Sequence, residues 1–124
     1  MNLIDSYGWI EYFSDGPLAK KYAPYIEAVN EINTITPTIV VYEVYKRLKK
    51  EKGEQVALEA YAQITRSKLI PLDDALALTA ADTSLKMGLA MADAVIFTTA
   101  KTFSADLVTS DPDFKGLDGV RLIE

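Results

Sequence analysis

Apolar residues along this chain come in short runs that alternate with longer stretches of helical spacing. Asn2 to Asp5 is a short apolar run read as a first strand, and Tyr7 to Phe13 reads as a short helix stopped by Ser14-Asp15-Gly16-Pro17. From Leu18 to Asn30, the positions Leu18, Tyr22, Tyr25 or Ile26, and Val29 repeat at helical intervals. Glu31 to Thr36 alternates apolar residues at Ile32 and Ile35 and predicts a second strand. Pro37-Thr38 opens a long helix, with Thr38 as its candidate cap, running to about Lys52 and stopped by Gly53. Glu54 to Ser67 predicts another amphipathic helix, and Lys68 to Leu72 a third strand. Asp73 or Asp74 caps a helix ending near Met87, with Gly88 closing it. Ala92 to Phe103 predicts a last helix, Ala105 to Thr109 a fourth strand and Val120 to Ile123 a fifth. Strands alternating with helices imply an α/β fold with a central, mostly parallel sheet covered by helices on both faces. No repeat or linker interrupts the 124 residues, so the expectation is one domain spanning 1–124.

Composition then narrows the chemistry. The chain has no histidine and no cysteine. That removes most familiar nucleophile–base arrangements, any disulfide framework and the usual zinc ligands. Absent cysteine, with an N-terminus unlike a signal peptide and no apolar run long enough to span a membrane, gives the expectation of a cytoplasmic protein. A net charge of −5 speaks at first against a nucleic-acid partner. Two divalent cations gathered among the acids would bring that charge close to neutral, so a phosphate-rich substrate stays open.

Four acids stand at the edges of apolar segments: Asp5, Glu43, Asp93 and Asp111. In open α/β sheets, sites form beyond the carboxyl ends of strands where the strand order reverses. Asp5 ends the first predicted strand and Asp111 follows the fourth by two residues. Glu43 lies in the second turn of one helix and Asp93 in the first turn of another. Singly, each acid has an ordinary structural explanation. Asp111 precedes Pro112 and suits a cap, Asp93 suits a helix N-terminus, and Glu43 is spaced to pair with Arg47. Jointly they point elsewhere. Two carboxylates about 4 Å apart repel by about 4 kcal/mol at an effective dielectric of about 20. Acids sharing one cleft must therefore take up protons, pair with bases or hold a cation. Oxygen-only donors suit magnesium or manganese.

The segments Asn-Leu-Ile-Asp5-Ser6, Thr36-Pro-Thr-Ile-Val-Val-Tyr-Glu43-Val, Leu89-Ala-Met-Ala-Asp93-Ala-Val-Ile and Leu107-Val-Thr109-Ser-Asp111-Pro-Asp113-Phe resemble the PIN-domain ribonucleases. Among these, the chain is similar to the VapC-type toxins of toxin–antitoxin pairs. The resemblance spans essentially the whole chain, with the motifs in order. It implies a three-layer α/β/α sandwich of about five strands and an acidic quartet, Asp5, Glu43, Asp93 and Asp111, holding one or two Mg²⁺ or Mn²⁺ ions. It also implies Asp113 as a less regular further acid, and RNA as substrate cleaved by a metal-activated water. Further implications are a cognate antitoxin and a homodimer. Ser6 and Thr109 match small hydroxyl positions that would orient a ligand, water or carboxylate, and are equally a helix-capping serine and a strand-end threonine.

Lys46, Arg47, Lys49, Lys50 and Lys52 carry five of the thirteen bases on the helix that bears Glu43. They could guide an RNA backbone, or simply be solvated cations at a helix C-terminus. The seven tyrosines fall mainly on the N-terminal helices, suited to a partner groove or to half-buried packing. A second function class fits the same acids: a non-catalytic PIN-like module whose acidic crevice docks a basic partner peptide. A receiver-like phosphotransfer domain fits poorly, because Asp5 has no second acid before Glu11 and Lys101 falls inside a predicted helix.

Overall fold

A computed structural model covering residues 1–124 shows five strands and six α-helices. In chain order they are β1 (Asn2–Ile4), α1 (Ser6–Phe13), α2 (Ala19–Glu27), β2 (Thr34–Pro37), α3 (Thr38–Lys52), α4 (Glu54–Ile64), β3 (Lys68–Ile70), α5 (Asp74–Met87), α6 (Met91–Thr102), β4 (Asp106–Thr109) and β5 (Val120–Leu122). A 3-10 turn at Pro112–Phe114 lies between the last two strands. The strand order is β3-β2-β1-β4-β5 and every pairing is parallel. β1 is central, with Leu3 opposite both Ile35 of β2 and Leu107 of β4. The order reverses between β1 and β4, so their carboxyl ends open the crevice that such a reversal creates.

The helices pack on the sheet through side chains at helical spacing. In α3, Val40, Val44 and Leu48 recur every four residues and are fully buried, while the intervening bases face outward. α6 is different. Ala94 through Ala100 are all buried, so this helix runs through the interior and its first turn carries Asp93 to the sheet's end. Trp9, Tyr22, Ile26, Ile64, Leu107 and Phe114 fill the core between. No helix is long and apolar enough to cross a membrane.

Two local expectations are corrected. Residues 31–33 do not extend β2, and Ile32 is 85% exposed in a turn. The Asn30 side chain accepts hydrogen bonds from the backbone of Ile32 and Asn33, and Asn33 bonds back to the Ala28 carbonyl. These local amide bonds hold a turn against the weaker alternation signal. Thr38 is not the cap of α3 but its first residue. Pro37 pairs with Ile70 as the last residue of β2 and so takes the cap position without a side-chain bond. Other boundaries move by one to three residues. α4 stops at Ile64, where the Ser67 hydroxyl turns back onto the Ile64 carbonyl. The caps of α5 are as read: Asp73 accepts from Leu76 N–H, and Gly88 takes the left-handed conformation.

Candidate functional site

Beyond the carboxyl ends of β1 and β4 lies an open crevice of about 800 Å³. Asp5, Glu43, Asp93 and Asp111 all line it, together with Ser6 and with Lys46, Arg47 and Lys50. Lys49 does not reach it, and Asp113 is exposed nearby without lining it.

Asp5 is held most firmly. It leaves β1 in an extended conformation and caps α1, its Oδ1 accepting from Ser6 N–H at 2.8 Å. Its Oδ2 accepts from the Thr109 hydroxyl, also at 2.8 Å, and its own N–H donates to the Val108 carbonyl across the β1–β4 pairing. Only 9% of the residue is exposed. Burial pushes its carboxyl up to about 6; the bonds from Thr109 and Ser6 oppose that rise, and the charges of Asp93 and Glu43 add to it. Thr109 in turn accepts from Asp111 N–H at 3.0 Å, and Asp111 accepts from Asp113 N–H at 2.9 Å. One hydroxyl thus fixes the spacing between the ends of the two central strands.

Glu43 comes from the second turn of α3. Its Oε1 accepts a short hydrogen bond from the Ser6 hydroxyl. The pairing with Arg47 that the spacing allows does not form; Arg47 lines the crevice but bridges Glu51 at 2.9 Å. One turn further along, Glu51 is in reach of solvent, whereas Glu43 points into the crevice beside Ser6. Asp93, in the first turn of α6, is half-buried. Burial raises its carboxyl most, followed by the charges of Asp111, Glu43 and Asp113. Tyr22 stands behind the site, its hydroxyl donating to Ser110 at 2.8 Å, and burial pushes its phenol up to about 12.

Burial is the larger cause of both raised carboxyls, and the neighbouring like charges add to it. No three of the acids stand close enough together to grip one ion as they are placed. The donor set suits a hard divalent ion: carboxylate oxygens from four elements, no nitrogen or sulfur ligand, and Asp5 and Glu43 each already oriented by a hydroxyl.

Several crevice residues are not signalled by the sequence alone. Leu18 lines the wall because Glu11, a buried acid, accepts from its backbone N–H at 2.7 Å and holds the turn after α1 in place. An acid inside an apolar helix just before a Gly-Pro turn is the only trace of that role. Ser110 and Pro112 carry no mark beyond lying beside Asp111.

A family model described as the PIN domain matches residues 3–120. A chain of a toxin–antitoxin complex from Klebsiella pneumoniae superposes with a TM-score of 0.82 at 25% identity, covering 100% of this chain and 98% of that one. VapC20 of Mycobacterium tuberculosis, a toxin that cleaves the sarcin–ricin loop, gives 0.79 at 14% identity over 95% of each chain. VapBC2 of Rickettsia felis, in complex with a DNA fragment from its promoter, gives 0.73 at 16% identity, covering 98% of this chain and 96% of that one. No curated protein matches by sequence.

Proposed function

The chain belongs to the PIN-domain family, and from that premise we propose that it is a Mg²⁺- or Mn²⁺-dependent endoribonuclease, the toxin of a toxin–antitoxin pair. The observation that carries this reading is the gathering of Asp5, Glu43, Asp93 and Asp111 around one crevice at the sheet's reversal point. The four carboxylates would hold one or two ions, with Asp113 as a further donor near the rim. Bound there, a divalent ion supplies Lewis acidity, lowering the pKa of water and offsetting charge on a phosphate.

The chain's own groups do the rest. Thr109 and the Ser6 backbone lock the Asp5 carboxylate, and the Ser6 hydroxyl locks Glu43, so both present fixed oxygens. Lys46, Arg47 and Lys50 line the same crevice, where they offset the charge of an incoming phosphodiester. With no histidine in the chain, proton transfer falls to water or to one of the carboxylates. The absence of cysteine fits a reducing cytoplasm, and a cognate antitoxin and a second copy of the chain complete the reading.

The test is cleavage of structured RNA with Mn²⁺ or Mg²⁺, comparing wild type with Asp5→Asn and Asp93→Asn. Both variants should lose activity by orders of magnitude. Undiminished cleavage by both, or full activity in excess EDTA, would sink the proposal.

A second reading rests on the same four carboxylates: an acidic crevice that docks a basic peptide without metal or catalysis. Calorimetry separates the two. Mn²⁺ binding that disappears in Asp93→Asn supports the nuclease, whereas no metal binding alongside tight capture of an arginine-bearing peptide supports the module.

A further inference from the structure

Alongside the crevice, a second and more open groove of about 650 Å³ runs along α3 and α4. Its surface is formed by Val41, Leu58 and the rings of Tyr42, Tyr45 and Tyr61, and its edge by lysines. No acidic side chain lines it. On α3 the contributing positions are 41, 42, 45, 46, 49 and 50, the spacing of a single helical face. Tyrosines and lysines therefore interleave along one stripe.

The groove is continuous with the crevice: Tyr42, Lys46 and Lys50 line both. Lys46 Nζ lies 5.3 Å from the Tyr42 ring centroid and Lys49 Nζ 5.4 Å from that of Tyr45. Each ammonium also donates to the hydroxyl of the ring it covers, at 3.2 and 3.4 Å. At exposed positions such contacts are weak, and a stacked nucleobase is the stronger partner for a tyrosine face.

We infer that this groove binds a single-stranded segment of the substrate RNA, with bases on the tyrosine rings and lysines on the phosphates, and leads that strand into the acidic crevice. The inference rests on the nuclease reading of the crevice. Charge points the same way. The chain as a whole is acidic, yet a concentrated share of its bases flanks these rings, where a polyanion approaching four carboxylates needs compensation. The rings argue for nucleic acid over an acidic amphipathic helix. Three of the five uncharged positions are tyrosines, which offer flat faces for stacking successive bases beside lysines placed for the phosphates. A base out of its duplex is what such a face accepts, so the selected substrate is unpaired next to the scissile phosphate.

The test is fluorescence anisotropy in EDTA, where cleavage is suppressed, with a fluorescein-labelled single-stranded oligouridine and a labelled RNA duplex. Tyr45→Ala and Tyr61→Ala should each weaken single-strand binding roughly tenfold while Tyr61→Phe retains it. Duplex binding should be weaker and insensitive to both changes. Lys49→Glu, at an exposed position, reads the same groove should the half-buried Tyr45 prove necessary for folding. Unchanged single-strand binding in Tyr61→Ala and Lys49→Glu overturns the inference. So does an acidic amphipathic peptide that occupies the groove and is not displaced by RNA. Single-strand binding that depends on Tyr61, in a protein that cleaves nothing with Mn²⁺, keeps the groove and removes the nuclease reading. Cleavage with no dependence on Tyr61 does the reverse.

Discussion

Asp5 is stabilised by two hydrogen bonds, yet as a charged group it works against the fold. Its carboxyl is raised from 3.8 to about 6, chiefly by burial. The folded state therefore holds the proton more tightly than the unfolded chain does, and stability falls as pH rises through the interval between about 4 and 6. Two pKa units correspond to about 3 kcal/mol. In EDTA, Asp5→Asn should flatten that slope and raise the urea midpoint near neutral pH, an unusual sign for a change at a buried capping residue. A lower midpoint for Asp5→Asn at neutral pH would show that its hydrogen bonds outweigh the burial of its charge. The same substitution is expected to abolish cleavage, so stability and activity should move in opposite directions. Glu43 illustrates what spacing alone leaves undecided. Its distance from Arg47 suits a pair, but the choice between Arg47 and Ser6 depends on α1 packing against α3, a contact between distant segments.

At the scale of elements, the alternation of strands and helices is readable from periodicity, and so are the stops at Gly53 and Gly88, where the backbone adopts positive φ. Strand order is less so. That β4 lies beside β1 follows only from pairings across the whole chain. Around Ile32, where alternation predicts a strand, two asparagine side chains hold a turn instead. The second groove is legible as residues but not as a surface. Its tyrosines are visible, while the approach of α4 that brings Tyr61 beside Tyr45 is not. Gly8 in α1 shows how packing overrides propensity. Replacing a mid-helix glycine with alanine ordinarily stabilises a helix by about 0.5–1 kcal/mol. Here an added Cβ would meet the buried Tyr22 ring at 2.5 and 2.7 Å and Ile4 at 2.9 Å. Gly8→Ala should therefore destabilise by about 1–3 kcal/mol in chemical denaturation, and a gain in stability would mean that Tyr22 can move.

For the molecule as a whole, one uncovered apolar face lies on α5. Leu78 is 70% exposed and Leu85 86%, two turns apart on one face, with Met91 exposed beyond the helix's end. Covering this face is the natural role for the proposed second copy. Sedimentation of wild type should give a dimer, and Leu78→Glu with Leu85→Glu should give a folded monomer. A wild-type monomer, or an unchanged dimer in the double variant, would place the contact elsewhere.

The bond from Thr109 to Asp5 joins residues 104 positions apart. During synthesis, Asp5 leaves the ribosome 104 residues ahead of its partner. Synthesis proceeds at roughly 5–20 residues per second, so an incomplete chain carries three of the four acids for some seconds without the strand that arrays them. The central sheet cannot close until β4 arrives, and a truncated product ending before it lacks both Thr109 and Asp111. The cell is thereby given an interval, set by translation itself, in which the polypeptide exists but its crevice does not.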